Sequence, residues 1–216
     1  MRLVDNIFNS ILGKGKIEPY TYYDYLESDG NGQYIDTGVL TSSKLRIVCK
    51  CFGRSGYTNL IAFGSRDRLN TNELSLRLHS PSPGNLGRIT ASYNVTREYA
   101  INIFVAGEVY DIDFNRNVVS VVGNQGTSRT VTIKAATFAS TTRNMYLFGF
   151  NGTSTPSVPG VCICKCQIYD NDVLVRDLRP AVRKSDGVAG MLDVVNNVFH
   201  PNANPAGDNF LYGNLT

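Results

Sequence analysis

No tryptophan occurs in these 216 residues, and only two histidines, His79 and His200. Neither histidine sits in a metal motif or beside an activated nucleophile. The phosphate-cradling loop Gly-x-x-x-x-Gly-Lys-Ser/Thr, the dinucleotide fingerprint and the Gly-x-Ser-x-Gly elbow are also missing. Charge is sparse at 18% of residues, with 21 basic against 18 acidic groups and a net charge of +3. The basic residues are scattered rather than clustered, so no electrostatic stripe for nucleic acid is present. No apolar run approaches the roughly 20 residues of a membrane-spanning helix. Residues 1–12 lack the apolar core and small-residue cleavage site of a signal peptide. The expectation is a soluble chain made in a cytoplasm, with no nucleic-acid partner and no membrane span.

The residues that are present favour sheet and turn. Twelve tyrosines and ten phenylalanines suit strands, and twenty glycines with many Ser, Thr and Asn suit tight turns. The length is enough for one large domain with a substantial core. Residues 1–19 stand apart. Leu3, Val4, Ile7, Phe8, Ile11 and Leu12 follow the spacing of an amphipathic helix, and Gly13-Lys14-Gly15-Lys16 and Pro19 then break it. So short a helix is marginal alone, so its apolar stripe must dock on something. We expect residues 1–19 to be a helical anchor and linker, with that stripe as the partner-binding surface.

From residue 20 the period changes to two. Leu45, Ile47, Cys49 and Cys51 share one face of a strand over 44–52. Leu74, Leu76 and Leu78 point inward over 73–79, with Ser75, Arg77 and His79 outward. Tyr110, Ile112 and Phe114 oppose Val109, Asp111 and Asp113 over 108–114. Further strand-like runs are 57–64, 88–93, 99–105, 117–122, 129–134, 145–151, 160–169 and 172–178, separated by turn signals such as Gly53-Arg54-Ser55-Gly56. About a dozen half-buried strands without a βαβ rhythm predict an all-β antiparallel sandwich or jelly roll over 20–216.

The five cysteines fall in two groups, Cys49 and Cys51, and Cys162, Cys164 and Cys166. Period-two spacing predicts that each group lines one face of its strand, as buried reduced thiols. Neighbours roughly 6–7 Å apart along a strand do not form a disulfide within a group, while a bond between the groups stays open. Flat Cys-x-Cys spacing does not suit zinc. Among carboxylates, Asp111 and Asp113 share a face and Glu108 lies opposite. Alternating polar positions on a solvated strand explain them, so no catalytic residue and no glycosidase activity are expected.

Two segments carry a family resemblance. Tyr25-Leu26-Glu27-Ser28-Asp29-Gly30-Asn31-Gly32-Gln33-Tyr34-Ile35-Asp36-Thr37-Gly38-Val39 and Gly190-Met191-Leu192-Asp193-Val194-Val195-Asn196-Asn197-Val198-Phe199 resemble the opening and closing signatures of concanavalin A-like (LamG-type) jelly rolls. Such domains are common in bacteriophage virion proteins, especially of phages of gut bacteria. The segment from Gln167 to Pro180 resembles the hairpin that precedes the closing signature. The resemblance spans roughly residues 20–213. It implies that Met191, Leu192, Val194, Val195 and Phe199 close the core over the first strands.

The resemblance also implies a non-enzymatic virion protein, a capsid-decorating or head-fibre component, with other virion subunits and its own copies as partners. The alternative it implies is a carbohydrate-binding adhesin. For the latter the long polar loop offers Arg66, Asp67, Arg68, Asn70 and Asn72 as glycan contacts. Many LamG-type domains carry structural calcium. Its oxygen ligands here would come from Asp29 and Asn31, from Asp67, Asn70 and Asn72, or from Asp170, Asn171 and Asp172. Turn chemistry is the favoured account of each cluster, so no cofactor is expected.

Overall fold

A computed structural model describes residues 19–57, 59–67, 72–79, 87–94, 96–134, 138, 141–152 and 159–215, without the side chains of 96–102. The expected helix with Leu3, Val4, Ile7, Phe8, Ile11 and Leu12 lies outside these residues. Among the described residues there is no helix. Seventeen strands follow one another: β1 (Tyr20–Tyr22), β2 (Tyr25–Glu27), β3 (Ile35–Leu40), β4 (Leu45–Gly53), β5 (Leu60–Ser65), β6 (Glu73–His79), β7 (Gly87–Asn94), β8 (Thr96–Phe104), β9 (Tyr110–Asn115), β10 (Val118–Gly123), β11 (Ser128–Thr132), β12 (Asn144–Leu147), β13 (Val161–Asp170), β14 (Val173–Arg183), β15 (Ala189–Asp193), β16 (Val198–Pro201) and β17 (Leu211–Gly213).

They form two sheets. The larger runs β11-β10-β9-β4-β13-β14-β15-β16, with β1 on β14 and β2 between β13 and β17. The smaller runs β3-β12-β5-β6-β7-β8. Every pairing between these strands is antiparallel. The alternation read from the sequence sets the two inner faces. Leu45, Ile47, Cys49 and Cys51 of β4 and Tyr110, Ile112 and Phe114 of β9 come from the larger sheet. Leu74, Leu76 and Leu78 of β6 and Ile89, Ala91 and Tyr93 of β7 come from the smaller one. The layers meet ring to ring: Phe63 lies 6.0 Å from Phe114, and Phe104 5.9 Å from Tyr110.

Strand β13 departs from the expected pattern. Ile163 opposes Cys51 and Lys165 opposes Lys50, which leaves Cys164 as an extra residue. Such a bulge shifts the side-chain phase by one. Cys166 therefore faces the core with Cys49, whereas Cys162 packs on the outer side with Phe52 and Val109. The expectation that Cys162, Cys164 and Cys166 share one face fails for this reason. Below the bulge β13 and β14 separate, and the tyrosine-rich entry strands fill the gap. Leu26 of β2 pairs with Ile163, and Tyr22 of β1 pairs with Ala181. At their other end β13 and β14 join through Asn171 and Asp172, both at positive φ (54° and 65°), as a two-residue hairpin turn requires.

The C-terminal strands close the core, but not with all the expected residues. Met191 and Leu192 are buried. Val195 is 45% exposed in the turn after β15, and Phe199 lies on the flank, stacked at 5.3 Å on Tyr20. The missing apolar volume comes from Phe210, 2% exposed and 4.8 Å from Phe148. Phe210→Ala should cost about 3–5 kcal/mol of unfolding free energy in urea, whereas Val195→Ala should stay within about 0.5 kcal/mol. Equal effects would place the C-terminal segment outside the core.

Candidate ligand-binding face

The side of the smaller sheet turned away from the core is polar and yet largely buried. Its rows follow from strand register. Glu73 stands opposite Asn94, Ser75 opposite Ser92, Arg77 opposite Thr90 and His79 opposite Arg88. The Ser75–Ser92 row continues through Gly64 of β5 and Tyr146 of β12 to Asp36 of β3. At Gly64 the missing side chain makes room for a ring: a Cβ there would lie 2.5 Å from Phe150 and 3.0 Å from Ser75. Phe150 thus packs over Gly64 in the middle of the face and is itself only 2% exposed.

Two guanidiniums hold that ring, Arg66 at 4.7 Å and Arg77 at 5.4 Å from its centroid, as cation–π geometry favours. Both converge on Glu73, whose side chain is 3% exposed. Arg77 donates to it at 3.0 Å, Ser75 Oγ donates at 2.7 Å, and Arg66 lies 3.7 Å away. Towards the edge, Tyr34 stacks on Tyr146 at 4.3 Å and 17°. Burial, and then the neighbouring Tyr34 and Asp36, push the Tyr146 hydroxyl up to about 12.

Beyond Phe150 the polar atoms run out of partners. Thr90 Oγ1, Ser92 Oγ, His79 Nε2 and Arg66 Nε are buried with no hydrogen-bond partner among the described residues. Thr90 and Ser92 are 3% and 1% exposed. Burial first, and then Arg88 and Arg77, lower the pKa of His79 and so favour its neutral ring. The face combines aromatic rings, hydroxyls, guanidiniums and a carboxylate.

Of the residues expected from the polar loop, Arg66 lies on this face. Asp67 accepts from Thr142 N at 3.2 Å and from Asn72 Nδ2 at 3.3 Å, and Asn72 N donates to Asn94 Oδ1 at 3.3 Å. These two side chains stitch the loop to its neighbours. Arg68 and Asn70 lie outside the described residues. The sequence missed Glu73, Thr90, Ser92, Phe150, Tyr34 and Tyr146 as site residues. It marked Ser75, Arg77 and His79 only as outward-facing.

The other clusters hold one another. Asp29 Oδ1 accepts from Asn31 N at 2.9 Å, and Asn31 Nδ2 bridges Asp29 and Asp208. Asp172 pairs with Arg116 at 3.0 Å. Among the described residues no group of three or more His, Cys, Asp or Glu is placed to hold a metal. The three carboxylates around β9 diverge as well. Glu108 is buried against the Tyr110 hydroxyl at 2.7 Å, Asp113 is forked by Arg46, and Asp111 lies 4.0 Å from Lys50.

Neither a protein-family model nor a curated protein sequence matches the chain. Among solved structures it is similar to domains LG4-5 of the mouse laminin α1 chain, with 12% identity and a TM-score of 0.45. That match covers 76% of this chain and 47% of the laminin chain, so this chain spans less than half of that structure. It is also similar to galectin LEC-6 of Caenorhabditis elegans, with 8% identity and a TM-score of 0.35, over 72% of this chain and 99% of the galectin.

Glu73 is the electrostatic keystone of the face. Glu73→Ala would leave Arg66 and Arg77 against Phe150 without their shared carboxylate. It should cost about 3–5 kcal/mol in chemical denaturation, as expected for breaking a buried ion pair. The exposed Asp111→Asn should change stability by no more than about 0.5 kcal/mol. A Glu73→Ala chain as stable as the parent would remove the network from the account.

Proposed function

We propose that this chain is a non-enzymatic binding module that takes a glycan on the outer face of its smaller sheet. The observation that carries the reading is the pair of buried hydroxyls, Thr90 and Ser92, without partners among the described residues, on the same face as a phenylalanine clamped by two arginines. The half-buried Tyr34–Tyr146 stack offers a flat surface to the apolar C–H face of a sugar ring, and the half-buried Arg66 and His79 offer polar atoms to its hydroxyls, while Phe150, Thr90 and Ser92, at 2%, 3% and 1% exposure, lie beneath them. Ligand sites commonly pair apolar surface with a few placed polar groups that fix orientation. The divergence of Glu108, Asp111 and Asp113 supports binding without hydrolysis, because glycosidic cleavage needs two facing carboxylates.

The reading extends to placement. The resemblance of the Gln33–Gly38 and Met191–Asp193 segments to bacteriophage virion jelly rolls supports a capsid-decorating or head-fibre subunit. In it the domain is displayed outward, and the stripe from Leu3 to Leu12 joins the particle or sister copies.

A glycan array probed with the full chain should yield hits that calorimetry reproduces. Tyr34→Ala, Tyr146→Ala and Arg66→Gln should each weaken the best hit by about tenfold, the equivalent of one lost polar or stacking contact. Binding that ignores all three substitutions would move the site elsewhere, and release of reducing sugar would overturn the non-enzymatic reading. Separately, a chain lacking residues 1–17 should fold and fail to enter the particle. Normal occupancy by that chain would refute the anchor.

A further inference from the structure

Cys49 and Cys166 were far apart in the sequence and are directly opposite in the fold. They face each other across the β4–β13 pair, and both are fully buried on the core side. Directly opposed residues in an antiparallel pair have Cα atoms about 4.5 or 5.5 Å apart. Both values fall within the roughly 4.4–6.8 Å span of disulfides. No other described cysteine stands opposite a second one. Cys51 faces Ile163 and Tyr110, Cys162 faces Phe52 and Glu27, and Cys164 is the bulge residue with no register partner.

We propose that Cys49 and Cys166 are an oxidative modification site, closed to a cross-strand disulfide by a small-molecule or protein disulfide. The thiolate of one cysteine attacks the oxidant's S–S bond, forming a mixed disulfide and releasing one thiol. The second cysteine, giving up its proton, attacks the sulfur of the first and expels the other thiol. Two protein thiols are oxidised to one disulfide, and one oxidant disulfide is reduced to two thiols. In the folded chain both sulfurs are out of solvent. The contact with Cys166 and burial push the Cys49 thiol up, so the nucleophilic thiolate is scarce there. The bond therefore forms while the chain folds or opens, and once formed it is sheltered from reductant.

The bond would close a loop containing β5 to β12, which includes all of the smaller sheet except β3. Closing a loop of that length restrains the unfolded chain strongly.

The full chain should be unfolded in denaturant with reductant and refolded in a glutathione redox buffer. Thiol titration should then fall from five to three, and peptide mapping should join the Cys49 and Cys166 peptides. The melting temperature should rise by on the order of 10 °C and return when reductant is added during unfolding. Cys51→Ala should still form the bond. Cys166→Val should retain all its remaining thiols. Because a core substitution could impair folding, the parent chain is also treated with diamide at a temperature just below melting, and the same bond is expected. Five titratable thiols after both treatments, a bond joining other cysteines, or an oxidised chain that melts no higher than the reduced one would overturn the proposal.

Discussion

A single extra residue in β13, Cys164, governs how the larger sheet is assembled. Side chains alternate along a strand, so one inserted residue reverses the face of everything beyond it. Below the insertion, Ile163 turns inward to join Leu26 and Cys51. Above it, Cys166 and Ile168 turn inward to join Cys49 and Ile47. The associated bend also lets β13 hold β2 along one half and β14 along the other. The chain's first strands are thereby wedged between two of its last, and the N-terminal and C-terminal parts of the domain cannot form separately.

The motifs at the two ends of the domain act through polar side chains at this junction. Gln33 is fully buried and donates to the carbonyls of Asp208 and Asn209, while its own carbonyl oxygen accepts from Asp29 N. Asp36 accepts from Gly38 N, with Gly38 at φ 68°. At the other end Asp193, fully buried, accepts from Asp177 N, Val195 N and Asn196 Nδ2, and lies 3.5 Å from Arg176. Gln33 is costly to bury alone and is satisfied only when the segment with Asp208 and Asn209 is in place, whereas Asp193 finds its partners within the C-terminal strands.

The outer face of the smaller sheet shows the opposite economy. There Thr90 and Ser92 are buried without partners among the described residues, at about 1–3 kcal/mol for each unsatisfied group. Apolar residues of similar size would serve stability better. The proposed glycan reading gives these hydroxyls, guanidiniums and carboxylate a role that stability alone does not. The Tyr34–Tyr146 stack lies between this face and the C-terminal segment, since Tyr34 also accepts from Ala203 N. The edge of this face and the closure of the domain are therefore adjacent.

The sequence by itself determined the class and the inner faces. The alternation in 44–52, 73–79 and 108–114 marked core residues that are buried in the structure, because which face a side chain takes depends only on its neighbours along the strand. It also marked Ser75, Arg77 and His79 as outward. Tertiary structure alone decided the rest. Alternation cannot reveal the bulge at Cys164, since an extra residue is defined only against the strand opposite. It cannot reveal that an outward face is covered, so nothing in it marked Glu73, Thr90 and Ser92 as buried. Nor can it bring Phe150 over Gly64, Phe210 onto Phe148 or Cys49 opposite Cys166. Those contacts join residues far apart in the chain, and their register is set by packing two sheets against each other, a property of no local segment.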